Sequence, residues 1–397
     1  MSRDRSRAPL PPGFGTIWTA VAIDLIGFGV VFPILPLYAR RFHVSPAAAT
    51  GLVAVFAAAS FVFSPVWGRL SDRIGRKPVI ILSLAGTCVG SLLTGLAGGI
   101  VLLYIGRVVD GASGASVSVA QAAVSDVARP DQRARLFGLL GAAFGLGFVA
   151  GPAIGALAAH FGPRVPFFLA AALAGVNAVV AAGRLPETHR PDATMRSAPR
   201  SGNPLAALPA GRLIGPLIGV AFGALLAFSA FEATFALFGQ RRLHLGIAAT
   251  AGVFAVIGLA IVAVQGGLVH VVVSRIGELA TLKVGLAADT AGLLVLAFAR
   301  SWPAAAPALL ALTVGQGLVQ TTMSSVLAGR ADPARRGEVL GAQQAAGGLA
   351  RVIGPVAGGF LFQRVGAGGP YVLGAIVMAV VLVLAQTAAG APSAVAT

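Results

Sequence analysis

Apolar residues along this chain do not alternate with polar ones. They gather in runs of about twenty, separated by short segments that hold charges, prolines and glycines. The runs fall near 16–38, 46–68, 78–98, 101–125, 136–159 and 164–185, then 213–238, 246–272, 279–299, 304–328, 338–362 and 369–389. Each is long enough, at a helical rise of about 1.5 Å per residue, to cross a hydrocarbon core of about 30 Å. Membrane β-barrels show short alternating segments instead. The pattern therefore predicts an all-α membrane protein of twelve transmembrane helices. Between the sixth and seventh runs lies PETHRPDATMRSAPRSGNPLAALPAG, whose Pro, Ser and charge content predicts a flexible linker. The expected organisation is an N-terminal six-helix bundle (1–185), a cytoplasmic linker (186–211) and a C-terminal six-helix bundle (212–397). The first run is too long for a signal peptide and lacks a convincing cleavage site, so it reads as a retained span.

Composition agrees with lipid as the solvent. Hydrophobic residues make up 57% and charged residues only 11%, against about 25% charged in soluble domains. The 53 Gly and 24 Pro are tolerated in spans whose neighbours satisfy the freed backbone groups. The formal charge of +16 does not point to nucleic acid, because the basic residues sit in clusters between runs and not along one amphipathic face. With the N-terminus inside, cytoplasmic segments carry twenty of the 29 Lys and Arg and outer segments seven, with Arg107 and Arg351 left inside spans. That bias places both termini in the cytoplasm. The Ala-, Gly- and Arg-rich usage points to a bacterial inner membrane. Cys88 stands alone, so neither a disulfide nor a cysteine metal site is expected, and the five His lack metal-ligand spacing. No dinucleotide fingerprint, no GxxxxGK[ST] and no nucleophile–base pairing is found. The expectation is a protein that is not an enzyme, holds no cofactor and uses no ATP of its own.

The halves resemble each other. A shift of 203 residues maps Gly151-Pro152 onto Gly354-Pro355, Pro130 onto Pro333, Gly138 onto Gly341 and Gly155 onto Gly358. Such duplication predicts two bundles facing each other, with a cargo cavity between them near mid-membrane.

Charges within the runs carry the candidate chemistry. Asp24, Arg107, Asp110, Glu232, Asp289 and Arg351 all fall inside spans, at an insertion cost of about 3 kcal/mol for each Asp or Arg at a helix centre. They are expected to face the bundle interior or to pair. Asp24 and Asp289 are the first candidates for proton carriers, because a partly desolvated carboxylate can exchange a proton in the working range. Arg107 and Asp110, three residues apart, share a helix face and form either a static ion pair or one whose rearrangement couples protonation to conformation. Glu232 either snorkels from the outer part of span seven or serves cargo or proton. Arg351 could pair with Asp289 or hold an anionic cargo. Gln121, Gln316, Gln320, Gln343 and Gln344 supply uncharged hydrogen bonds, and Gln121, Gln343 and Gln344 join Glu232 and Arg351 as candidate cavity residues.

The sharpest local signal is GRLSDRIGRK, residues 68–77, after the second run. Gly68 is expected to start a turn, with Gly75 spacing the charges. Asp72 can face a helix terminus or a basic neighbour, and Arg73, Arg76 and Lys77 can engage carboxylates or helix ends, with Asp126 as a nearby acid. SRIGE (274–278) is a reduced echo in the second half. This segment resembles the signature loop of the major facilitator superfamily. GLLGAAFGLGFVAGPAIGA in span five, with Gly138, Gly147, Gly151, Pro152 and Gly155, is similar to the superfamily's antiporter motif, although Ala156 replaces its final Gly. Span eleven keeps a partial copy that has Ala350. DLIGFGVVFPILP, YIGRVVDG and GLAADTAGL extend the likeness over nearly the whole chain, most closely to twelve-span drug/proton antiporters including tetracycline exporters. The resemblance implies a secondary transporter, monomeric and proton-driven, that exports small drug-like molecules by alternating access. It matches Asp24 and Arg107 to the group's pattern. One departure stands out: Gly90 occupies the place of the tetracycline exporters' acidic residue in span three. Export or symport of a sugar or amino acid, and a non-transporting membrane sensor on the same fold, are the alternatives.

Overall fold

The computed structural model describes residues 10–129, 132–189, 214–332 and 335–387. Arg3, Arg5, Arg7, the repeated Pro130 and Pro333, and the linker from Arg190 onward lie outside the described residues. Among the described residues there are twelve helical spans long and apolar enough to cross a membrane, and no strand. Span one is α1 (Phe14–Val31) and, after a break at residues 32–34, α2 (Leu35–Arg40). Spans two and three are α3 (Pro46–Ile74) and α4 (Arg76–Leu96). Span four is split into α5 (Ile100–Ser113) and α6 (Ser116–Val127). Spans five to seven are α7 (Arg133–His160), α8 (Val165–Arg184) and α9 (Ile214–Leu243). Span eight is α10 (Ile247–Ala263), a π-helical turn (Val264–Leu268) and α11 (Val269–Ile276). Spans nine to twelve are α12 (Glu278–Phe298), α13 (Trp302–Arg330), α14 (Arg336–Arg364) and α15 (Gly369–Thr387).

All twelve expected runs are helices, but span two does not stop where its apolar residues do. Gly68 lies inside α3, and the turn comes seven residues later at Gly75. The helix continues because its extra turn has partners: Trp67 and Leu70 pack on the core, Ser71 is buried, and Arg73 places a cation at the helix C-terminus. Gly75 then adopts φ 99°, ψ 162°, a region essentially reserved for glycine. Gly277 repeats it at φ 81°, ψ 164°, so the SRIGE echo is a repeat of backbone geometry as well as of sequence.

The described residues pack as two compact units. One draws on Met1–Val31 and Val62–Arg196, the other on Phe32–Phe61 and Ser197–Thr397. In the first, α1 packs on α7 and α8, and α4 on α8 and α5; in the second, α9 packs on α14 and α15, and α12 on α15 and α13. These are the same span pairs six spans apart. The duplicated sequence thus folds into duplicated packing, and small residues set its closest approaches. A β-carbon added at Gly151 would sit 2.6 Å from Gly29 Cα and 2.8 Å from the Ile26 carbonyl, and one at Gly147 would sit 2.6 Å from Leu25 Cβ. In the second unit Gly354 lies as tightly against the Leu226 carbonyl (2.8 Å) and Ser229. Such contacts let backbones approach without the side-chain layer that would otherwise hold them apart. Gly155 is buried, as is Pro152 within α7. Gly138 is exposed with open space around it, so it is not a packing glycine.

Candidate functional site

In the first unit the polar chemistry gathers around the break in span four. The sequence GASGAS (111–116) offers no bulky side chain to hold a helix together, and residues 114 and 115 leave it. Neighbouring spans take up the freed backbone groups. Trp67 Nε1 donates to the Ala112 carbonyl, Ser83 Oγ donates to the Ser113 carbonyl, and Ala115 N–H donates back to Ser83 Oγ at 3.1 Å. Ser116 then opens α6 and its hydroxyl donates to Asp24 Oδ2 on α1. One turn before the break, the buried Arg107 Nη2 lies 2.8 Å from the buried Asp110 Oδ2, and Thr94 Oγ1 accepts from Arg107 at 3.4 Å. Thr87 also hydrogen-bonds the Asp110 carboxylate, and the Asp110 charge acts on Asp24. The sequence placed Arg107 and Asp110 on one face, and they form an ion pair there.

Gly90 sits on α4 against this pair. A β-carbon at Gly90 would meet Asp110 Cβ and Asp110 N at 2.7 Å and the Gly106 carbonyl at 2.8 Å. Helix α5 fills the position, so span three has no room for a carboxylate there, and the acid of this crossing stands on span four as Asp110.

The second unit has a mirror-like crossing with the acid on the other partner. Asp289 on α12 lies over Gly315 of α13, where an added β-carbon would strike its carboxylate. Asp289 is fully buried with no ion-pair or side-chain partner, and only the backbone N–H of Gln316 acts on its carboxylate; the Gln316 side chain, also buried, has an unpartnered Oε1. Arg351 therefore does not pair with Asp289. The Arg351 charge acts on Glu232 of α9 without contact close enough for an ion pair, and Arg351 is exposed while Glu232 is half-buried.

The glutamines divide. Gln343 on α14 exchanges hydrogen bonds with Ser324 on α13, at 3.1 and 3.4 Å, and so joins helices. Gln121 and Gln344 are exposed. Gln320 on α13 accepts from Gln265 Nε2 at 3.2 Å, and Gln265 lies in the π-helical turn of span eight. An apolar cavity of about 550 Å³ runs along α10 and α13, lined by Gly252, Val256, Ala260, Trp302, Leu309 and Thr313 among others.

At the basic end of the first unit, Arg76 is the hub of the signature loop. Its guanidinium reaches Asp72 Oδ1 at 2.7 Å, Asp126 Oδ2 at 3.0 Å and Ser71 Oγ at 2.6 Å. The Glu187 carboxylate accepts from the backbone N–H of Arg76 (2.8 Å) and of Lys77 (3.2 Å), so it caps α4 from the segment after span six. Arg73 is exposed and Lys77 half-buried.

Sequence reasoning missed Glu187, Gln265, Ser83, Trp67 and Ser116. Glu187 had a faint signal, an acid directly after a span and ahead of basic residues. Gln265 had another, an amide followed by Gly266-Gly267 inside an apolar run. The spacing of Ser83 against the span-four break could not be read without knowing which helices cross.

Twelve spans, repeated packing and ionisable side chains within the membrane define a polytopic helical membrane transporter. The family model described as the Major Facilitator Superfamily matches residues 17–355 and 290–394, and the chain belongs to that family. It is 32% identical over 350 residues to the class E tetracycline resistance protein of Escherichia coli, covering 86% of each chain. It is 30% identical over 359 residues to multidrug resistance protein 1 of Bacillus subtilis (strain 168), covering 87% of this chain and 88% of that protein. The fold is shared with the human organic anion transporter MFSD10 (TETRAN), at 24% identity and a TM-score of 0.71 over 95% of this chain and all of that one. It is also shared with the nucleoside transporter NupG, at 11% identity and a TM-score of 0.78 over 96% of this chain and all of that one. The relatives and structural neighbours are transporters and not enzymes.

Proposed function

We propose that this transporter exports small drug-like molecules from the cytoplasm in exchange for protons, by alternating access, as a monomer in a bacterial inner membrane with both termini cytoplasmic. The observation that carries the coupling is Asp289: a carboxyl group in mid-span with no solvent exposure, no ion-pair partner and no side-chain donor, met only by the backbone N–H of Gln316. A charge buried without a partner is too costly to persist, so the group needs a proton here and a wet or paired setting to release it. That is the requirement for a carrier. Asp24, held by Ser116 beside the Arg107–Asp110 pair, is the second candidate, and the pair couples its charge to the broken span four. Cargo is taken up while the carriers are deprotonated, protons entering from outside compete it off, and the protonated protein resets.

The relatives named for tetracycline and multidrug resistance support drug-like cargo. Tetracycline itself is not proposed, because α5 fills the place of an acid at Gly90. The test is proton release from the purified protein on adding cationic and neutral drugs, compared with Asp289→Asn and Asp24→Asn. Release that disappears in one variant identifies the carrier. Drug binding by the wild type with no proton release would refute proton exchange.

A further inference from the structure

Span eight contains a feature that the proton path does not use. Its helix widens into a π-turn over Val264–Leu268, sequence VQGGL. Gly266 and Gly267 have nothing within 4 Å of where a β-carbon would stand, so no close contact requires them. Glycine weakens a helix there by about 1 kcal/mol per residue. Wide turns of this kind recur at functional positions. The widened turn carries Gln265, which donates to Gln320 Oε1 across to α13 at 3.2 Å.

The pair is fixed and yet open. Val264, at the start of the turn, packs with Val269 and Leu318, and a β-carbon at Gly317 would meet Val264 Cγ1 at 2.6 Å. That contact sets the register in which Gln265 faces Gln320. Both amides are nevertheless exposed, as are Thr321 and Ser324 on the same helix. Amide edges with unmet capacity are costly in hydrocarbon, so a wet setting suits this pair. One hydrogen bond leaves each amide with further capacity. Between them they offer a free donor and a free acceptor side by side.

A half-open apolar cavity of about 550 Å³ lies along the preceding turns of the same two spans, and neither glutamine lines it. Ala260 and Thr313, both on its wall, lie five residues before Gln265 and seven before Gln320, roughly 7 and 10 Å along their helices. An apolar groove of this size with a few placed polar groups one to two turns beyond it can hold the body and the polar edge of one small molecule.

We propose that the Gln265–Gln320 pair is a cargo-recognition site for neutral amphipathic molecules that carry a donor and an acceptor on one edge, as a primary carboxamide or lactam does, with the apolar body lodged along α10 and α13. The proposal rests on the export reading and names its substrate class. The cargo's amide edge extends the amide pair to a third member, and its body replaces water in the cavity.

The probes are coumarin-3-carboxamide and its N,N-dimethylamide, which keeps the acceptor and loses both donors. Uptake of each is followed by fluorescence in everted membrane vesicles carrying the full chain and energised by interior acidification. A lost hydrogen bond of about 1.4 kcal/mol is tenfold, so wild-type vesicles are expected to favour the carboxamide by about tenfold. In Gln320→Met and, separately, Gln265→Met, the ratio should fall to about one, while continued dimethylamide uptake shows that each variant is folded and active. A wild-type ratio near one, or a ratio unchanged in both variants, overturns the site. If vesicles accumulate other drugs of a panel but neither coumarin, the site is overturned and export stands. If an expressed, correctly folded chain moves nothing on the panel, the export reading itself fails.

Discussion

Replacing Gly75 by Ala tests the reasoning about the signature loop most sharply, because two independent penalties meet at one atom. The first is backbone strain. Gly75 sits at φ 99°, ψ 162°, where a residue with a β-carbon costs about 1–3 kcal/mol. The second is the Glu187 carboxylate, which lies against the place the new methyl would occupy, with its Cγ-attached carbon 2.8 Å away. Glu187 would have to move, abandoning the Arg76 and Lys77 amides it caps. Loss of a cap costs about 1 kcal/mol, and the low end applies to this exposed side chain. Gly75→Ala is therefore expected to destabilise by about 2–4 kcal/mol and Glu187→Ala by about 0.5–1 kcal/mol. The double variant should cost less than the sum by about the cap contribution, since the cap can be lost only once. The assay is equilibrium unfolding in mixed dodecylmaltoside and SDS micelles, read by tryptophan fluorescence. A neutral Gly75→Ala would refute both the strain and the contact, and two single effects that add fully would refute the contact.

Three other variants follow from the spans. Asp289→Asn should abolish proton release on cargo binding while leaving stability unchanged or slightly raised, since it removes a buried ionisable group that has no ion-pair or side-chain partner; a strong loss of stability would mean that Asp289 has a structural partner beyond the Gln316 amide. Arg107→Gln or Asp110→Asn alone should cost about 3–5 kcal/mol by leaving one buried charge unpaired, and the double variant should recover much of that in the same unfolding assay. Gly90→Asp should fail to accumulate in the membrane, because its first side-chain carbon would fall 2.7 Å from Asp110; a stable, active variant would show that α4 and α5 can separate.

Span existence was legible because it depends on one coarse quantity, a run of apolar residues long enough for the bilayer, and the repeat was legible because Gly151-Pro152 and Gly354-Pro355 survive at a fixed offset. Where spans end or break was not. Span two was read to stop at Gly68 with its hydrophobicity, yet α3 runs to Ile74 because Ser71 and Trp67 have partners on other helices. The split of span four depends on Ser83, thirty residues earlier, replacing the lost backbone bonds. Individual charges could be placed within spans, and Arg107 with Asp110 could be paired because the helix brings residues three apart together. Pairing across helices was out of reach: Arg351 was a plausible partner for Asp289, and it lies instead within range of Glu232.

The two units share a packing scheme but differ in how their polar groups are satisfied, and that difference bears on mechanism. In the first unit each ionised group described in mid-span has a partner: Arg107 has Asp110, and Asp24 has Ser116. A satisfied buried network resists rearrangement, because breaking any member leaves another exposed to the full desolvation cost. In the second unit Asp289 has no ion-pair or side-chain partner, Gln316 keeps an unpartnered oxygen, and the amides of Gln265 and Gln320 lie on an exposed face. Groups with unmet capacity are those that a proton or a ligand can satisfy at little cost to existing bonds. A duplicated fold that loads its halves this unequally leaves most of the unmet polar capacity in the second unit, so variants that abolish transport without unfolding the protein should be most frequent in α12 and α13 and in the π-turn of span eight, with Asp24 the matching position of the first unit.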